Sequence, residues 1–191
     1  YIVRPDLPLA ERERFLEALL AIDIMPRTAI VLLPFVGLQM ASMRGSIDLS
    51  SATLVVAWSV GFVWLAVVWM AYLKTREPTG PFRQRIDVSW RVVLIVILWV
   101  LGVSSLLRGA PFTAKWIAVK LLVYAALLMV GLYLRVSIRG WRLGFIRLRQ
   151  GESGPDIDAL FSDGRRRAKY AAFVFWALIV TMAWLGITQP Y

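Results

Sequence analysis

The chain has 191 residues, 59% of them hydrophobic and 18% charged, with a formal net charge of +10 and neither cysteine nor histidine. The apolar share exceeds that of a soluble domain, and it is gathered in five continuous blocks, which excludes an ordinary soluble core and, because the runs do not alternate, a β-barrel. Disulfides, thiolate chemistry and the usual ligands of haem, copper and zinc are excluded within these residues. The basic residues flank the apolar blocks as topology signals do, so the charge argues for a membrane rather than a nucleic-acid partner.

The chain opens on Tyr1 rather than Met; an upstream span, if one precedes it, would bring the total to six. Tyr1–Val3 followed by Arg4-Pro5-Asp6 looks like a helix tail stopped by charge and proline. Pro8 to Met25 reads as an amphipathic helix, with Phe15, Leu16, Leu19, Leu20 and Ile22 opposite Arg12, Arg14 and Glu17, lying in the membrane interface.

The first span covers residues 24–43, and Pro34 inside it predicts a kink. Asp23 and Arg27, four apart, are expected to pair at the membrane edge. Gly37, Ala41 and Gly45 form a small-residue ridge. The second span covers 52–73, where Thr53, Ala57 and Gly61 make the matching ridge. Gly37, Ala41, Ala57 and Gly61 are therefore the expected helix-packing positions. Trp69 and Tyr72 suit an interfacial belt, and Trp58 and Trp64 suit packing or lipid contact.

A loop is expected over 74–87, then a third span over 88–107 with Arg91 close enough to its start to snorkel. The fourth span, 114–135, contains Lys120, which lies about 6–8 Å inside by helical rise. An intramembrane charge marks a functional position unless it snorkels to the surface. With Arg108 and Lys115 on the same side, Lys120 forms the candidate lipid- or anion-binding set. After this span, Val136 to Gln150 continues as a basic amphipathic helix, the second interfacial segment. Its Arg139, Arg142, Arg147 and Arg149 would meet anionic lipid while Trp141, Phe145, Ile146 and Leu148 dip among the headgroups. Asp156, Asp158 and Asp163 lack the pattern of a calcium loop and are better read as helix caps and partners of Arg165, Arg166, Arg167 and Lys169. The fifth span covers 170–188.

Eighteen of the 22 Lys and Arg residues fall on the side of the amino terminus and the two long loops, against three on the other. Positive-inside bias puts the amino terminus and both long loops in the cytoplasm and Tyr191 outside it. The expected fold is an all-α, multi-pass transmembrane bundle of five spans, a single integral membrane domain over 1–191, with two cytoplasmic interfacial amphipathic helices. No catalytic set, phosphate loop or metal cluster is present in the pattern, and no cofactor is expected.

Two motifs carry a family likeness. Tyr1-Ile2-Val3-Arg4-Pro5, then Asp23-x-x-Pro26 before a span closing on Gly37-Leu38, is the first. Trp116-x-x-x-Lys120-Leu121-Leu122 is the second. Together they resemble the small bacterial membrane proteins grouped with copper-resistance D and HemJ-type protoporphyrinogen oxidase proteins. The resemblance implies a role for Lys120 at the lysine of the second motif. The histidine those enzymes use on their first helix has no counterpart here. Either it lies upstream of Tyr1 or the chain is a relative without haem, and the absence of any histidine favours the latter. The functional expectation is a non-catalytic membrane subunit or scaffold, more an accessory protein than an enzyme, contacting anionic lipids and other membrane subunits. The alternatives are a haem-pathway or copper-handling protein of that family, and a small transporter.

Overall fold

The computed structural model describes residues 1–4, 6–73, 80–152 and 154–189, and the side chains of all of these except 80–84 and 136–139. The described chain is all-α: α1 (Leu9–Ile22), α2 (Ile24–Met43), α3 (Ser51–Leu73), α4 (Gly80–Arg108), α5 (Lys115–Arg149) and α6 (Pro155–Thr188). Among the described residues, five helical stretches are long and apolar enough to cross a membrane, which makes this a multi-pass, membrane-embedded helical bundle. Pro5, the residues at 74–79, the Arg139 side chain, Pro190 and Tyr191, on which expectations were placed, lie outside the described set.

Three helices run beyond the apolar blocks, and for the fourth span this continuation was expected. The expected loop before the third span is helix from Gly80 onward. The fourth span and the basic segment after it form one helix of 35 residues, and the aspartate-bearing segment forms the first turns of a helix of 34. Nothing between Lys115 and Arg149 interrupts the backbone hydrogen-bond ladder, because that stretch contains no proline. Gly151 ends it at φ +80°, with the Gly151 amide donating to the Leu148 carbonyl at 3.1 Å and that of Glu152 to Arg147 at 3.1 Å. Pro155 then opens α6, and Asp156 and Asp158 meet the positive end of its dipole.

The chain divides into two compact units, Tyr1–Leu19 with Leu94–Tyr191, and Leu20–Val93. The first is built on the antiparallel pair α5–α6. Gly164 of α6 receives the indole of Trp141 from α5, whose Nε1 donates to the Phe161 carbonyl at 3.2 Å. Gly144 of α5 receives the ring of Phe161 from α6, where an added Cβ would stand 2.8 Å from Cζ. Each helix thus offers an aromatic ring and, three residues later, a glycine that admits the other's ring. Further along the same register, Gly186 of α6 lies against Lys120 of α5. At about 1.5 Å per residue α5 is roughly 50 Å long, well beyond a hydrocarbon layer of about 30 Å. The Trp141–Phe161 end is therefore a polar-sequence stem continuous with two spans.

Trp141, Phe145, Ile157 and Phe161 form the core of that stem, with Ile2, Val3, Leu9, Leu16 and Leu148 packed against it. This corrects the expectation that Trp141 and Phe145 dip among headgroups: they are 7% and 4% exposed, and α6 covers them. Arg12, expected on the polar face of α1, is also buried. Its Nε donates to the Ile2 carbonyl at 2.9 Å, and its guanidinium lies 4.6 Å from the Phe161 ring centroid and 5.8 Å from that of Phe145. The neighbouring face of α1 leaves Phe15, Leu19 and Ile22 exposed, with Phe15 stacked on Tyr1 at 4.6 Å. Before α1, the hydrogen bond from Arg4 holds the Asp6 carboxyl below its usual range.

In the second unit, α2 and α3 pack antiparallel through tryptophans. Trp58 donates to Gln39 at 3.2 Å and Trp69 to Thr28 at 3.1 Å. Between them Gly61 faces the ring of Phe35, where an added Cβ would be 2.7 Å from Cδ2. The expected ridge-on-ridge contact is not what forms. Gly37 is exposed with open space where a Cβ would stand, and Gly45 is the left-handed residue that ends α2 at φ +69°. Ala41 and Ala57 are half-buried. The glycine of α3 thus receives the Phe35 ring rather than a second backbone.

Candidate functional site

Trp116, Lys120 and Tyr124 recur every four residues, so they share one face of α5, and that face meets α6. The Lys120 ammonium lies 5.3 Å from the Trp116 ring centroid. On its other side it rests on Gly186, whose missing side chain makes the room: an added Cβ would stand 2.7 Å from Nζ. Trp116, Ile117 and Tyr124 of α5 and Leu185 of α6 are buried. A primary ammonium set between an aromatic face and bare helix backbone favours an anionic group, because a low dielectric strengthens charge-assisted hydrogen bonds. Lys120 is half-buried in the α5–α6 seam, not stretched away from it.

The other expected members do not join it. Arg108 closes α4 and Lys115 opens α5, both exposed, and of the three only Lys120 turns into the seam. Ser105, near the end of α4, is buried and accepts a hydrogen bond from the Phe112 amide at 3.3 Å, which ties down the turn leading to α5. Among the α5 arginines, Arg142, Arg147 and Arg149 are exposed, while Arg149 donates to Glu13 of α1 at 2.6 Å and Arg147 lies 4.0 Å from Glu152. Asp163 accepts from Arg166 at 3.0 Å, and among the described residues no group of three acidic, histidine or cysteine side chains could hold a metal.

One ionic feature was misplaced by the sequence pattern. Arg91 does not snorkel: it is 4% exposed, its Nε donates to Asp87 at 3.2 Å, and its guanidinium lies 5.8 Å from the ring centroid of the buried Trp64. The i, i+4 spacing of Asp87 and Arg91 was the available signal, the same spacing that pairs Asp23 with Arg27, where Arg27 Nε donates at 2.7 Å. Gly186, the other wall of the Lys120 position, carries a weaker signal, legible only through the helix pairing.

The class defined by these elements is an all-α, multi-pass membrane protein. Comparison with protein-family models, with curated protein sequences and with solved structures finds no match to this chain.

Proposed function

We propose that this protein is a non-catalytic subunit or scaffold of a larger membrane complex, in a bacterial inner membrane, with its amino terminus and long loops cytoplasmic and its carboxyl end periplasmic. The observation that carries this is α4. Close helix pairing within the described chain joins α5 to α6 and α2 to α3. α4 meets α5 where Gly102 lies against Leu122, and along one face it leaves Val96, Ile97, Trp99 and Val100 exposed. Lipid can solvate such a surface, but van der Waals packing against another helix is what stabilises association in a bilayer, and this face of α4 is open to such packing. The exposed Phe15, Leu19 and Ile22 of α1 support its place in the membrane interface beside the stem.

Because the chain has no cysteine, single-cysteine variants report cleanly. With Val96→Cys or Val100→Cys in native membranes, a short bifunctional crosslinker is expected to yield one adduct of discrete mass containing a second membrane polypeptide. Leu128→Cys, from a fully buried position, should yield none. Rapid labelling of both α4 positions by lipid-phase reagents, with no protein adduct, would show that lipid alone covers α4.

A second reading follows from the seating of Lys120: a haem-pathway or copper-handling protein of the resembled family, in which Lys120 holds an anionic group. A visible absorption band in the purified protein, lost in Lys120→Met, would favour it over the scaffold. A parent that is colourless and carries no copper by elemental analysis would remove it.

A further inference from the structure

The polar half of α6 gives way to its apolar half at Lys169 and Tyr170. At that boundary the helix surface carries a hollow of about 480 Å³ whose lining includes Asp163, Arg165, Arg166, Lys169, Tyr170 and Phe173. That size is in the range of small-molecule and headgroup sites. At 100° per residue these side chains share one face, and they are ordered along the axis: charge first, then a phenol, then a phenyl ring. Asp163 is already engaged by Arg166 at 3.0 Å, whereas Arg165 and Lys169 are exposed and have no ion-pair partner among the described residues. The hollow therefore keeps a net positive charge.

Below it the same face continues as Trp176, Val180 and Trp184, each more than half exposed. Phe173 lies about 6 Å along the axis from Lys169, the scale on which a phospholipid passes from phosphate to acyl chain. Cations above an aromatic ring above an apolar strip are complementary to an anionic amphiphile in that same orientation. A soluble phosphate would use the cations and leave the strip idle.

We propose that this hollow on α6 is a binding site for the phosphate headgroup of an anionic glycerophospholipid, whose acyl chain lies along Phe173 and Trp176. It is a different surface from the α5 arginines, whose aromatic neighbours are turned into the stem. It depends neither on what covers α4 nor on which side of the membrane the stem occupies.

The test titrates the full chain, in mild detergent, with phosphatidylglycerol and with phosphatidylcholine, and reads bound lipid by native mass spectrometry. Phosphatidylglycerol should be retained in preference. Replacing Arg165, Arg166 and Lys169 by glutamine should weaken its binding roughly fivefold per cation, on the order of a hundredfold together, and leave phosphatidylcholine unchanged. Arg165→Lys with Arg166→Lys should keep most of the binding, which separates charge from folding. Arg142→Gln with Arg147→Gln should leave it within about twofold, since those charges lie elsewhere. Phe173→Ala should weaken it, and inorganic phosphate should not displace the lipid. The site is overturned if the triple variant binds phosphatidylglycerol like the parent, or if the α5 variant loses as much. It is also overturned if inorganic phosphate displaces the lipid while Phe173→Ala has no effect, which would make it a soluble-anion site.

Discussion

Arg91 and Asp87 show how a charge is accommodated inside an apolar helix. A guanidinium there must either reach the headgroups or find a carboxylate, and Asp87, one turn earlier, is within 3.2 Å of its Nε. Both are almost fully buried, and Trp64 covers the guanidinium. Removing one partner leaves the other charge stranded in low dielectric, while removing both removes the desolvation penalty as well. Asp87→Leu or Arg91→Leu alone is therefore expected to lower stability by about 3–5 kcal/mol. The double variant should recover most of that loss. Thermal denaturation in detergent of the parent, the two single variants and the double variant checks this; additive losses would mean the two residues do not act as a pair.

At the scale of elements, α5 and α6 are held in register by the two glycine–ring contacts. An alanine methyl at Gly164 would overlap the Trp141 indole, and one at Gly144 would come within 2.8 Å of Phe161. Each change should destabilise by about 1–3 kcal/mol through overpacking. Gly37→Ala, facing open space, should be neutral or stabilising, since alanine is the better helix former. The register makes a sharper claim about coupling. If Phe161 is the ring that fills the space at Gly144, then Phe161→Leu should absorb part of the loss caused by Gly144→Ala, because the clashing ring edge is gone. A coupling of about 0.5–3 kcal/mol between the two changes is expected, and none between Gly37→Ala and Phe161→Leu. Full additivity at 144 and 161 would mean that the two helices meet in another register.

For the whole molecule, the uneven distribution of Lys and Arg is a prediction about sidedness. A reporter fused after Tyr191 should be active only outside the cytoplasm, and one inserted at Gly151, in the turn between α5 and α6, only inside. Cytoplasmic activity at Tyr191 would change the number of crossings. The stem adds a second consequence. Arg12, Trp141 and Phe161 bring the amino-terminal segment against residues far along the chain, so the spans and the α1 segment are coupled through packing as well as through the connecting chain.

The sequence by itself determined the class of the fold. Continuous apolar runs of about twenty residues have few stable alternatives to membrane-crossing helices, and the bounds of α2, Ile24–Met43, follow directly from where the apolar run begins and ends. The i, i+4 pairing of Asp23 with Arg27 was equally legible, because it is set within one helix. What each helix turns towards another was not legible. Trp141 and Phe145, set among arginines, have the same pattern whether they face headgroups or a protein core, and only the packing of α6 against α5 decided for the core. Gly37 and Gly61 looked alike as small residues in apolar helices, yet one faces open space and the other a phenylalanine ring. Lys120 was visible as a charge inside a span, but Gly186, which makes room for its ammonium, lies far along the chain. Periodicity records the backbone and the faces of a single helix; which face meets which partner is set by side-chain shape across the seam, and that is a property of the tertiary structure.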